Sequence, residues 1–301
     1  MISKDIPHRN LQTRQNHLSF QAFQGSIMED THFALPPPPE SAWNLDLLKK
    51  CMSQGVKIAD SVIDIGGGLV VKYGERVQFE EGLATQLVAT YTSVPVPRIR
   101  AIIRDETINW TFIVQDKLPG ELLINLIPTL TETERTALAL ELKAILTELS
   151  QLDSRGPMGM VGRAPYYTHG FCGRFRLCGP WKSNTPYEFV HWLSEVLDSG
   201  ITVPGPPIDD TAFDFAKPPI FSHGDFVPEN ILVHDGHISG IIDWECAGWY
   251  PYFWNDFIAR RRLLPQFRDG KWKDMLLLMM EPYPAEFYSF HTVYKHADMF
   301  L

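Results

Sequence analysis

Phe221 to Glu245 reads FSHGDFVPENILVHDGHISGIIDWE. His223, Gly224 and Asp225 come first, Asn230 follows five residues after the Asp, and Asp243 closes the stretch. Between them lie two apolar runs, Ile231-Leu232-Val233 and Ile238 to Ile242, which read as short strands around the turn His234-Asp235-Gly236-His237. An Asp, an Asn and a second Asp carried by one loop and one hairpin suit a hydroxyl to be deprotonated and a Mg²⁺ ion to be held against phosphates. A buried hairpin with turn-forming Asp and Asn explains any one of these residues, but not all five in this order.

The interval Asp225-x-x-x-x-Asn230 followed by a later Asp is the one protein kinases use, except that Gly224 stands where they carry Arg. HGD-x-x-x-x-N followed by IIDWE resembles the aminoglycoside phosphotransferase and choline kinase family of small-molecule kinases. Four further stretches resemble its fungal branch: VVKYG at Val70 to Gly74, TSVPVPR at Thr92 to Arg98, CGPWKS at Cys178 to Ser183, and IIDWECAGWYPYFW at Ile241 to Trp254. In series they cover most of the chain from about 55 to 256.

The resemblance implies an α+β, bilobal, protein-kinase-like fold: a small β-rich N-lobe with one key helix, and a larger, mainly helical C-lobe. It implies ATP and Mg²⁺ as cofactors and a hydroxyl of a small molecule as acceptor. Asp225 would be the catalytic base or a substrate-orienting carboxylate, Asn230 and Asp243 would hold Mg²⁺, and His223 would brace the loop. Two positions depart from bacterial relatives, Phe226 in place of a Leu and Trp254 in place of an Asp. Both leave the acceptor open.

Such a site needs a strand Lys for the phosphates and a helix Glu to orient it. Lys72 lies inside the apolar strand Leu69 to Gly74, where a cation needs a partner unless it faces solvent from an edge strand. The next helix, Phe79 to about Tyr91, offers Glu80 and Glu81, and the family pattern favours Glu81. Gly66-Gly67-Gly68 is not a G-x-G-x-x-G loop and reads as the hairpin turn before the Lys strand, so the phosphate cover falls to the turn around Asp60-Ser61. The segment Phe112 to Gly120 resembles the family's linker between lobes, with backbone groups around Gln115 and Lys117 placed to bind the adenine edge.

The remaining organisation follows from pattern. Residues 1–40 read as an N-terminal extension ending in Pro36 to Pro39, residues 41–118 as the N-lobe and residues 119–301 as the C-lobe. Ser41 is the expected cap of a helix through about Ser53. Strands are expected at Val56 to Ala59, Ser61 to Ile65, Arg98 to Arg104 and Trp110 to Gln115. Thr131-x-x-Glu134, or Thr129-x-x-Glu132, is a capping box for a helix with Leu138, Leu142, Ile145, Leu146 and Leu149 at helical spacing. A loop from Asp153 to Lys182, a helix from about Pro186 to Leu197, and an aromatic helical region after Gly248 complete the chain.

Composition narrows the partners. At 301 residues, 45% hydrophobic and 21% charged, the chain has a globular balance. The net charge of −9 argues against nucleic-acid binding, which needs a basic face. No apolar run spans a bilayer and the start lacks a signal-peptide core, so a cytoplasmic protein is expected. Cys51, Cys172, Cys178 and Cys246 make neither a disulfide scaffold nor, with His169, a familiar zinc spacing. Asp209, Asp210 and Asp214 read as a solvated loop or as the recognition surface of a cationic acceptor. Tyr166, Tyr167, Trp181 and Trp249 to Trp254 suit a bulky apolar one. Two other outcomes remain compatible with the same residues: a non-catalytic nucleotide-binding module, and a kinase-like enzyme that activates a hydroxyl for elimination or cyclisation. Oligomeric state and the choice between ATP and GTP are left open.

Overall fold

The computed structural model describes Pro36, Pro39 and residues 42–152, 158–163, 185–191, 207–261 and 270–299. Helix α1 (Leu45–Gln54) is capped by Asn44, whose side chain accepts from the Leu47 N–H. Ser41, the expected cap, lies outside the described residues, as do residues 1–35 and Cys172, Cys178, His169, Tyr166, Tyr167 and Trp181.

Strands β1 (Val56–Ala59), β2 (Val62–Gly66), β3 (Leu69–Gly74), β4 (Ile99–Asp105) and β5 (Trp110–Asp116) form one antiparallel sheet in the order β1-β2-β3-β5-β4. Gly66 to Gly68 make the β2–β3 turn. Alternation along β3 puts Val71 on one face and Lys72 on the other. The Val71 face, with Ala101, Phe112 and Val114, packs against Leu48 of α1. Helix α2 (Phe79–Tyr91) covers the opposite face, with Gly82 so close to β4 that an added Cβ would lie 2.5 Å from Ile102.

The chain then becomes mainly helical. After β6 (Glu121–Leu122) and a helical turn at Leu123–Leu126 comes α3 (Glu132–Ser150). Strand β7 (Gly159–Met160) follows, then a helical stretch at 186–191, the whole of what is described of the helix expected to reach Leu197. Strand β8 (Ile220–Ser222) leads into the motif. Strands β9 (Ile231–His234) and β10 (His237–Ile241) form the expected hairpin, and Asp235 and Gly236 both take positive φ, 50° and 79°, as a tight two-residue turn demands. Gly248–Tyr250 is a strand, β11, where a helix was expected. It pairs with β7 and β8, and Gly248 touches Gly159 so closely that no Cβ fits. Helices α4 (Trp254–Arg261), α5 (Lys271–Met279) and α6 (Pro284–Met299) follow. The division into a sheet-rich first part and a mainly helical second part is the α+β arrangement read from the sequence. Among the described residues no helix is long and apolar enough to cross a membrane.

Candidate active site

Strand β8 delivers His223, fully buried, at the head of a loop running to Asn230. Gly224 has φ +78°, and a Cβ there would lie 2.1 Å from the Cys246 carbonyl oxygen. No side chain fits, so the Arg that protein kinases place before their Asp is sterically excluded. The Asp225 N–H donates to His223 Nδ1 at 3.3 Å, which makes the other ring nitrogen the protonated one. That Nε2–H donates to the Ile242 carbonyl at 2.9 Å, one residue before Asp243. Burial pushes the His223 pKa down to about 4, against the pull of the Ile242 carbonyl and the Asp243 charge, so the ring is neutral at neutral pH.

Asn230 closes the loop. Its Nδ2 donates to the Asp225 backbone carbonyl at 2.9 Å and to Asp225 Oδ2 at 3.3 Å, while the Asn230 backbone carbonyl accepts from the Ile242 N–H at 2.9 Å. With Nδ2 spent on Asp225, Oδ1 is the amide atom able to face a cation. The loop and the segment bearing Asp243 are thus laced together through His223 and Asn230. Asp243 itself is left-handed, φ 67°, an uncommon state for a residue with a side chain.

Lys72 joins the two halves of the molecule. Its Nζ lies 2.8 Å from Glu81 Oε1 and 2.8 Å from Asp243 Oδ1. Glu81, the residue the family pattern favoured, is the partner; Glu80 makes no ion pair with Lys72 among the described residues. Burial disfavours the Lys72 ammonium, but Glu81 and Asp243 outweigh it and hold its pKa above that of a free lysine. Burial likewise raises Glu81, to about 7, with Lys72 opposing the rise. The Lys72 side chain is 12% exposed and Asp243 36%, so the pair opens to solvent on the Asp243 side. There lies a cavity of about 450 Å³ lined by Ser61, Lys72, Arg76, Asp243 and Glu245 among others. Ser61, from the β1–β2 turn, lines the same space that Lys72 and Asp243 border.

Gln115 and Lys117 do not line this cavity. Gln115 sits in the middle of the sheet, paired with Val70 of β3 and Ile99 of β4. The Lys117 N–H donates to the Gly68 carbonyl at 2.8 Å and its Nζ pairs with Asp64. The ladder and the β2–β3 turn thus engage the Asp116 and Lys117 N–H groups, which accounts for part of the backbone expected to face adenine. Two residues were not singled out from the sequence. Glu245 brings a carboxylate oxygen within 4.8 Å of those of Glu81 and Asp243. Its signal was present, two residues after Asp243 in the motif, but the 3₁₀ turn Trp244–Cys246 that swings it to the cavity has no pattern of its own. Arg76 enters from the β3–α2 connection, where sequence periodicity ends.

On the acceptor side the acidic residues are used locally. Asp209 Oδ1 accepts from the Thr211 N–H and hydroxyl, Asp210 meets His191 at 2.9 Å, and Asp214 Oδ1 accepts from the Ala216 N–H. Trp254 is fully buried, stacked on Tyr250 with ring centroids 5.0 Å apart, so it belongs to a core rather than to an acceptor surface.

Comparison with known proteins follows the same lines. The family model described as phosphotransferase enzyme family matches residues 72–276. No curated protein sequence matches the chain. Among solved structures, the chain resembles a thermostable mutant of aminoglycoside phosphotransferase APH(4)-Ia in ternary complex with ADP and hygromycin B. The TM-score is 0.53 at 14% identity, over 83% of this chain and 87% of that one. It also resembles the complex of APH(2")-IIia with GDP and kanamycin, with TM-score 0.51 at 16% identity over 84% and 90% of the two chains. The apo form of the APH(4)-Ia mutant gives 0.50 at 18% identity over 81% and 86%. At such identities these likenesses show the fold.

Proposed function

Because the chain belongs to the phosphotransferase enzyme family, we propose that it moves the γ-phosphoryl group of ATP to a hydroxyl of a small molecule in a Mg²⁺-dependent reaction. The observation that carries this reading is Lys72, held at 2.8 Å from both Glu81 and Asp243 on the wall of the cavity that Ser61 also lines. A buried lysine clamped by two carboxylates next to an open cavity is an anion site set against a cation site.

The donors fit a hard divalent cation, since the cluster Glu81, Asp243 and Glu245 offers only oxygen. The second oxygen of Glu81, Oε2, is buried and has no hydrogen-bond partner among the described residues. Asp243 and Asn230 would hold the ion, with Glu245 beside them, and Mg²⁺ would offset charge on the phosphate oxygens. Lys72, oriented by Glu81, binds the α- and β-phosphates, and the Asp60-Ser61 turn covers them. Asp225 accepts the hydrogen bond of the acceptor hydroxyl and takes its proton as the new O–P bond forms. The bond from the γ-phosphorus to the bridging oxygen breaks, and ADP leaves. His223 and Asn230 fix the Asp225 carboxylate for in-line approach, so most of the acceleration comes from alignment and charge.

The test is ADP release by the wild-type chain over a panel of hydroxyl-bearing acceptors, with mass spectrometry of the products. A phosphate ester should form. Asp225→Asn should lower kcat by about 10²–10⁴-fold while nucleotide affinity stays level. Asp243→Asn should weaken the Mg²⁺ dependence as well. Full turnover in both variants, or no phosphate ester with any acceptor, removes the reading.

A further inference from the structure

Asp225 is held from below by His223 and from the side by Asn230, but the backbone just before it has a third attachment. The Gly224 N–H donates to Ser222 Oγ at 3.1 Å, and the Ser222 hydroxyl donates to Asn255 Oδ1 in a short contact. Ser222 is buried at 1% exposure, so its hydroxyl does not trade these partners for water. The hydroxyl has one proton. It accepts from Gly224 and gives its proton to Asn255, so the chain runs in one direction, from the loop amide to helix α4.

Helix α4 is a firm anchor. Trp254 and Phe257, on either side of Asn255 in sequence, are fully buried in an aromatic core with Phe189, Tyr250 and Phe290. Gly224 sits at φ +78° against the Cys246 carbonyl, a close approach that only glycine allows and that leaves its φ/ψ to be fixed by its hydrogen bonds. We infer that Asn255 is a positioning residue for phosphoryl transfer: through Ser222 it pins the Gly224 amide, and so fixes the direction in which Asp225 leaves the backbone. This rests on the phosphotransfer reading above. Asn255 does not touch the reacting groups and acts through Ser222 alone.

Asn255→Leu removes the acceptor, and Asn255→Asp keeps an acceptor oxygen at the same place. In Asn255→Leu, kcat should fall by on the order of 10²-fold, the size of loss that follows about 1 Å of misplacement, while KM for ATP stays level. Asn255→Asp should recover most of the loss. Amide hydrogen exchange over residues 221–227 should quicken in Asn255→Leu and return towards wild type in Asn255→Asp, a readout independent of turnover. Unchanged exchange in Asn255→Leu overturns the tether whatever the turnover. Full kcat in Asn255→Leu, or a loss confined to KM for ATP, overturns the positioning role and leaves the phosphotransfer reading standing. Absence of turnover in the wild type removes the phosphotransfer reading and the positioning role with it, whereas the exchange comparison between the two Asn255 variants still decides the tether.

Discussion

His223 carries a cost that depends on pH. Its Nδ1 lone pair receives the Asp225 N–H, and a protonated ring would have no lone pair to offer. Burial lowers its pKa to about 4 from an ordinary 6.5. The unfolded chain therefore binds this proton more readily than the folded one. The resulting stability is complete above pH 6.5 and is lost as pH falls from 6.5 towards 4, by about 2 kcal/mol on reaching pH 5. His223→Gln cannot titrate, so its urea midpoint should fall less than that of the wild type between pH 7.5 and pH 5. Parallel slopes for the two proteins would show that the ring does not take part. The neighbouring Gly224 illustrates what the sequence reveals and conceals. Its identity pointed away from protein kinases, but the reason, a Cys246 carbonyl 2.1 Å from any Cβ, joins residues 22 positions apart and has no signature in the chain. Glu245 and Asn255 stayed unnoticed for the same cause: the fold alone brings each to its partners.

Among elements, α3 shows a local signal read correctly. Of the two capping boxes the sequence allowed, the helix uses Thr131: its side chain accepts from the Glu134 N–H, and Glu134 reaches back to the Thr131 N–H at 2.7 Å. The far end of the same helix places Glu148 against the Ser93 N–H and hydroxyl. Two residues on, the Pro95 carbonyl accepts from the Ile241 N–H at 2.8 Å, at the end of the β9–β10 hairpin. Thr131→Ala should lower unfolding stability by about 1 kcal/mol, seen as a lower urea midpoint with an unchanged slope. An unmoved midpoint would mean that the cap carries no stability there. The long strands, α2 and the Asp235-Gly236 turn were legible because each obeys a period or a turn chemistry of its own. Strands β6, β7, β8 and β11 have two or three residues apiece, too few for a period. Gly248-Trp249-Tyr250 is apolar throughout and read as helix, and only its partners β7 and β8 make it a strand.

At the scale of the molecule, the sheet-rich and helical parts share one hydrophobic cluster. Leu83, Leu87 and Val88 of α2 lie in it with Leu123, Leu142, Leu146, Trp244 and Trp272. The helix that carries Glu81 is therefore rooted in the second half of the chain, and the 3₁₀ turn after Asp243 packs on it. The Lys72 contacts add a polar seam over this apolar one. A bilobal outline invites two unfolding events, but a shared core makes separate ones costly, because opening either half exposes α2. Leu87, fully buried, is the place to test this. Leu87→Ala should destabilise the protein by about 2–5 kcal/mol. Because the cluster is common, protection of amides in β3 and in α5 should be lost at the same urea concentration, and the midpoint of both should shift together in the variant. If β3 melts ahead of α5, or only one of them responds to the substitution, the two parts fold independently and the geometry around Lys72 must be maintained by its ion pairs alone.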